Sequence, residues 1–184
     1  MTKQLAGLAL NLRSLYNVGS LFRTADAFGL KKLFLVGTTG HPHPDEPWRR
    51  DHHALHKTAL GAEQTVPWEY QATPLPLLAK LRRAGWLIVC LEVSPRSLPI
   101  TSWHATSQPT LLVVGNEMTG LPAEILSASH ITLQIPQIGQ KESLNVGVAF
   151  GIAAFWLTQT DSTNSIPIPN RLSHHRDSRA IGPS

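Results

Sequence analysis

The chain has 184 residues, 42% of them hydrophobic, which suits one compact domain with its own core and excludes global disorder. No run of eighteen apolar residues occurs, so no transmembrane helix is expected, and the N-terminus MTKQLAGLALNLRS lacks the apolar stretch and cleavage site of a signal peptide. The net charge of +4 points to a polyanionic partner or to an ordinary, mildly basic surface.

Short apolar runs alternate with helical patterns along the chain. QLAGLAL (4–10) reads as a strand. In the segment after Asn17, helical periodicity places Val18, Leu21, Phe22, Ala25 and Phe28 on one face, and Gly29 is suited to cap that helix in a left-handed conformation. KKLFLVG (31–37) is the next strand, followed by a loop over 38–52 rich in Pro, His and charge. HALHKTALG (53–61) predicts a short helix ended by Gly61, and QTVPW holds a brief strand at most. PLPLLAKLRRAG (74–85) predicts a helix whose basic last turn suits the helix dipole. Then come the strand WLIVCLEV (86–93), the strand TLLVVG (110–115), a helix over 121–129 with Pro122 in its first turn, and the strand ITLQIP (131–136). SLNVGVAFGIAAFWLTQ (143–159) predicts a long helix buried on several sides.

From Asp161 onward Ser, Asn, Pro, His and Arg dominate without periodicity, so residues 1–160 are expected to form the domain and 161–184 a flexible basic tail. Unbroken apolar strands separated by helices imply an α/β fold, with a mainly parallel sheet flanked by helices on both faces. The single cysteine, Cys90, sits inside WLIVCL and reads as a buried structural thiol. Together these features predict a cytoplasmic protein.

In a parallel α/β sheet, ligands bind beyond the carboxyl ends of the strands, so the chemistry is sought there. TLLVVG is followed by NEMTGLP, where Gly115 and Gly120 bracket Glu117: a ligand loop, or a glycine-rich turn with a solvated carboxylate. ITLQIP is followed by a loop with Gly139, Lys141 and Glu142, which leads to Ser143 and Asn145. Ser143 is the expected N-cap of the long helix, and Asn145, two residues further on, is harder to explain as a cap. After the first strand come Asn11, Arg13, Asn17 and Arg23. Arg23 is an exposed helical arginine, a partner of Asp26, or a fork for phosphate or carboxylate. No G-x-G-x-x-G follows a strand and no phosphate loop of the G-x-x-x-x-G-K-[ST] type occurs. The histidines at 41, 43, 52, 53 and 56 suit an exposed or RNA-facing loop better than a zinc site, having no nearby cysteine and no H-E-x-x-H. The steps Arg49–Arg50 and Arg82–Arg83 suit phosphate contact and plain surface equally.

Three segments in order, NVGSLFRTADAFG (17–29), LLVVGNEMTGLP (111–122) and ITLQIPQIGQKESLNVGVAFGIAAF (131–155), resemble the three motifs of the SpoU-type RNA 2′-O-methyltransferases of the SPOUT superfamily. KTALGAE (57–63) is also similar to that family. The resemblance implies an α/β domain with a C-terminal trefoil knot, S-adenosyl-L-methionine as cofactor, a structured tRNA or rRNA as substrate, and no metal. It implies catalytic roles for Asn17, Arg23, Glu117, Ser143 and Asn145. Leu91, Gly115, Ile135 and Leu144 would contact the cofactor, largely through backbone. It further implies a homodimer in which motif-1 residues of one subunit complete the other's site. Some relatives carry an N-terminal RNA-binding domain, which a chain starting almost at its first strand is expected to lack. Family proposals make the arginine a general base. A guanidinium is almost never deprotonated, so Arg23 as a phosphate ligand is an equally sound role. The alternatives are a base methyltransferase of the same superfamily, disfavoured by Asn17, Arg23 and the SLN segment, and a non-catalytic RNA-binding protein that has kept the fold.

Overall fold

The structure, a computed structural model, describes residues 4–43, 45, 50–104, 106–141 and 143–159. The tail from Asp161, Arg49 and Glu142 lie outside the described residues. Seven parallel strands form one sheet in the order β3-β2-β1-β6-β4-β7-β5. They are β1 (Leu5–Leu10), β2 (Leu33–Val36), β3 (Trp68–Gln71), β4 (Leu87–Leu91), β5 (Leu98–Pro99), β6 (Thr110–Val114) and β7 (Ile131–Gln134). The helices are α1 (Leu15–Ala27), α2 (Arg50–Ala59), α3 (Ala62–Thr65), α4 (Pro74–Arg83), α5 (Ala123–Ala128) and α6 (Val146–Thr158). A 3₁₀ turn spans Ile100–Ser102.

The expected parallel α/β architecture follows from how the central strands are covered. Along β6, Leu112 and Val114 face one core, and Leu111 and Val113 face the other. The same alternation along β1 buries Leu5 and Ala9 on one side and Ala6, Leu8 and Leu10 on the other. With both faces dry, each strand must be apolar throughout. Phe22 of α1, Leu55 of α2 and Phe150 of α6 fill the first core. Leu77 and Leu78 of α4 and Ile125 of α5 fill the second. Cys90 is fully buried there, and burial pushes its thiol pKa up to about 12, as suits an inert side chain.

Helix α1 keeps its expected inner face: Val18, Leu21, Phe22 and Ala25 are buried and Phe28 is half-buried. Gly29 follows its last turn at φ 62°. Two expectations are corrected. The region after Gly61 holds a short helix, α3, and the strand begins only at the last residue of QTVPW, spanning Trp68–Gln71. That strand lies at the sheet's edge and is only partly covered, so its sequence WEYQ carries no apolar run. Helix α6 begins at Val146, later than expected, and its burial is one-sided. Phe150, Ala153, Ala154 and Leu157 face the core, while Val148, Ile152, Phe155 and Trp156 are exposed. No helix among the described residues is long and apolar enough to cross a membrane.

The connections position the site. The chain builds β1, β2 and β3 outward in one direction, then crosses over α4 to β4 on the other side of β1. Strand β6 later fills the gap between β1 and β4. The carboxyl ends of β1, β6 and β4 therefore open side by side, at the point where strand order reverses.

Candidate active site

A cleft of about 1020 Å³ lies at these carboxyl ends. Residues after β1, β4, β6 and β7 and the first turn of α6 line it. One hydrogen-bonded chain ties these elements together. The Asn17 amide on α1 donates to Glu117 Oε1 (2.9 Å), and the Asn145 amide donates to Asn17 Oδ1 (3.0 Å). Glu117 also accepts from the backbone N–H of Ser14 (Oε1, 3.1 Å) and of Arg13 (Oε2, 3.0 Å). The carboxylate thus holds the start of α1 against the loop after β6. Burial by itself would raise the Glu117 pKa. The Arg13 N–H, the Asn17 amide and the other donors outweigh it and hold the carboxyl below its ordinary value.

Asn145 has a second role that the sequence reading assigned elsewhere. Its Oδ1 accepts from the N–H of Gly147 (2.9 Å) and Val148 (3.3 Å), so Asn145 is the N-cap of α6. Ser143, the expected cap, lies two residues before the helix's capped end and lines the cleft instead. The polar amide at the mouth of an apolar helix is thereby accounted for on both sides, with the oxygen on α6 and the nitrogen on Asn17.

The loop after β6 is shaped by two glycines. Asn116 and Gly120 form an antiparallel bridge, and a Cβ on Gly115 would lie 2.6 Å from the Gly120 carbonyl carbon. Gly120 itself adopts φ 65° and packs on the Glu92 carboxylate. Asn116 bridges outward, its amide donating to the Asn11 carbonyl (2.7 Å) and its oxygen accepting from Met118 and Thr119 N–H (2.8 and 3.1 Å).

The structure gathers most of the residues singled out in the sequence. Leu91, Gly115, Ile135, Leu144 and Ser143 line the same cleft as Asn17, Glu117 and Asn145. Arg23 does not join them. It is exposed further along α1, on a separate groove of about 420 Å³ between α1 and α2. Nor does it pair with Asp26, whose carboxylate accepts from Thr65 Oγ1 (3.2 Å). Glu92 is a cleft residue that the sequence reading missed. It accepts from the N–H of Leu121 (Oε2, 2.8 Å) and Val93 (Oε1, 3.2 Å), joining the ends of β4 and β6. A carboxylate directly after the apolar run WLIVCL was the available signal. Among the histidines, His41 stacks on Trp68, with ring centroids 5.8 Å apart. Among the described residues no three potential ligands converge on a metal position.

The chain resembles known proteins over most of its length. Residues 8–155 match the model of the SpoU rRNA Methylase family. The chain is 29% identical over 153 residues to a tRNA (guanosine(18)-2′-O)-methyltransferase of Aquifex aeolicus, covering 83% of this chain and 68% of the relative. It is 29% identical over 146 residues to the 23S rRNA (guanosine-2′-O-)-methyltransferase RlmB of Nitrosomonas europaea, covering 76% and 50%. Among solved structures, an AdoMet-bound rRNA methyltransferase from Sinorhizobium meliloti superposes with a TM-score of 0.72 at 28% identity, covering 84% of this chain and 55% of that one. The chain thus spans about half to two thirds of the length of these relatives.

Proposed function

The chain belongs to the SpoU rRNA methylase family, whose fold carries a trefoil knot, and on that premise we propose that it methylates a ribose 2′-hydroxyl of a structured tRNA or rRNA. The observation that carries this reading is the Glu117–Asn17–Asn145 chain at the rim of the cleft. It sets a carboxylate, two amides and the mouth of α6 in one fixed arrangement.

The cleft's residues fit S-adenosylmethionine. Leu91, Val114, Ile135 and Leu144 offer apolar walls for a purine, and Glu92, Gln134 and Gln137 offer polar groups for hydroxyl and amino groups. Its volume is at the upper end of the roughly 300–1,000 Å³ of ligand pockets, leaving room for a nucleotide beside a cofactor. When bound, S-adenosylmethionine supplies a methyl group on a positively charged sulfur.

The remaining roles fall to this chain's own side chains. Asn17, held by Glu117 and Asn145, would orient the ribose and present its hydroxyl to the cofactor site. Ser143 and Asn145 hold the loop before α6 against nucleotide and cofactor. Arg23 grips the phosphate next to the target ribose, a task suited to a guanidinium that stays charged. Its position outside the cleft of its own subunit supports action in the cleft of a second copy. The exposed apolar stripe of α6 supports the same homodimer: Phe155, 49% exposed, meets Phe28 with ring centroids 6.1 Å apart, and Phe28 lines the Arg23 groove.

Arg23→Ala is expected to bind S-adenosylmethionine as the unaltered protein does in calorimetry and to lose methyl transfer by about 100-fold or more, the scale of removing one transition-state contact. Near-normal turnover would remove Arg23 from the mechanism. A monomer in sedimentation would remove the shared site. No binding of S-adenosylmethionine at millimolar concentration would favour an RNA-binding protein that has kept the fold.

A further inference from the structure

We propose that Lys57 of α2 is a second RNA-binding residue, sharing with Arg23 one phosphate of the RNA backbone in the groove between α1 and α2. The proposal rests on the reading of RNA as the partner.

The groove is lined by Ser20 and Arg23 of α1, by Phe28 just after that helix, and by Lys57 and Thr58 of α2. It holds two cationic side chains and, among the described residues, no carboxylate. Neither cation has an ion pair among the described residues. The acidic residue nearest in sequence, Asp26, is engaged by Thr65 of α3. The hydroxyls of Ser20 and Thr58 do not serve as free donors, because both donate to the Tyr16 carbonyl (2.9 and 2.8 Å). The Lys57 ammonium stands over the Tyr16 ring, 6.0 Å from its centroid. That contact steadies the long side chain while leaving its N–H groups available.

Two positive charges in one concavity repel each other unless an anion lies between them. A phosphodiester group answers both: its two unesterified oxygens suit the guanidinium fork, and the ammonium acts as a point charge beside them. The α1–α2 packing supports this geometry, because Lys57 is carried on a helix fixed against α1 through Leu55 and Ala59 in the core.

The test is RNA binding followed by fluorescence anisotropy between about 50 and 200 mM salt, where phosphate contacts are read from the salt slope. The probes are unfractionated tRNA and, separately, fragments of 23S rRNA. Lys57→Gln is expected to reduce the slope of log Kobs against log salt by roughly 0.7–0.9, the value of one lost phosphate contact. Lys57→Arg should restore the slope. Lys80→Gln should leave it unchanged, since Lys80 lies on α4, which packs on the opposite face of the sheet from α1 and α2. S-adenosylmethionine affinity should be unchanged in all three, which reports that the fold is intact. A Lys57→Gln slope and affinity equal to those of the unaltered protein would overturn the proposal, as would unaltered protein that binds neither RNA in a salt-dependent way. Lys57-dependent binding by a protein that methylates no RNA would leave this proposal standing and sink the methyl-transfer reading instead.

Discussion

Glu117 shows how one carboxylate can tie the start of a helix to a neighbouring loop. It collects two backbone N–H groups and the Asn17 amide, and Asn17 passes the constraint to Asn145. Glu117→Gln replaces one acceptor oxygen by an amide nitrogen facing N–H donors. The expected loss of stability is about 1–3 kcal/mol, the cost of unsatisfied donors, with a larger relative loss of methyl transfer. The pH dependence has a definite sign. A carboxyl held below its ordinary value in the folded state binds fewer protons there than in the unfolded chain. Its stabilisation is therefore present above the ordinary glutamate range and is lost as pH falls through the lowered value. Thermal melts of the Glu117→Gln variant should lack that acid-side component, and identical acid limbs would contradict this role. At this scale the residue types were legible and their arrangement was not. Glu117 in NEMTGLP reads equally as a solvated turn carboxylate, because its partners lie 100 or more residues away in the chain. Glu92 sits inside the apolar segment WLIVCLEV, whose pattern reads as a strand and masks the carboxylate at its end.

Helix α6 has two features that its apolar sequence conceals. Its start is set by Asn145, and its outer stripe is left exposed. The misplacement of its cap has a physical origin: serine and asparagine are comparable caps, and a two-residue shift changes neither the composition nor the apolar pattern. Because Asn145 caps with its oxygen and bridges to Asn17 with its nitrogen, substitution can separate the two roles. Asn145→Ser should keep the cap, with stability within about 0.5 kcal/mol, and lose the bridge and most of the activity. Asn145→Ala should lose both, at about 1 kcal/mol of stability. Equal activity in the serine variant and the unaltered protein, measured beside their thermal melts, would show that the bridge to Asn17 is dispensable. The edge strand β3 marks the opposite limit of legibility. Its residues Trp68–Gln71 pair with β2 and include the Lys32–Glu69 ion pair at 3.0 Å, a polar pattern that local reading cannot assign to a strand.

For the whole molecule, the layer architecture was legible because a sheet buried on both faces demands unbroken apolar strands. Strand order was not. Neighbouring strands in sequence usually pair, yet here only β1–β2 and β2–β3 do so, and β6 enters between β1 and β4 after both have been laid down. That late insertion brings three carboxyl ends together and makes the cleft. The ordered motifs reported the family where periodicity could not, since they mark the loops that the topology gathers. Methyl transfer to a ribose hydroxyl is tested most directly on RNA from cells lacking this gene. That RNA is incubated with the protein and methyl-labelled S-adenosylmethionine, then hydrolysed in alkali. Label is expected in an alkali-resistant dinucleotide at one defined position of a tRNA or rRNA, and about 100-fold less of it with Arg23→Ala. Label recovered on a base, in fully hydrolysed mononucleotides, would contradict methyl transfer to the ribose.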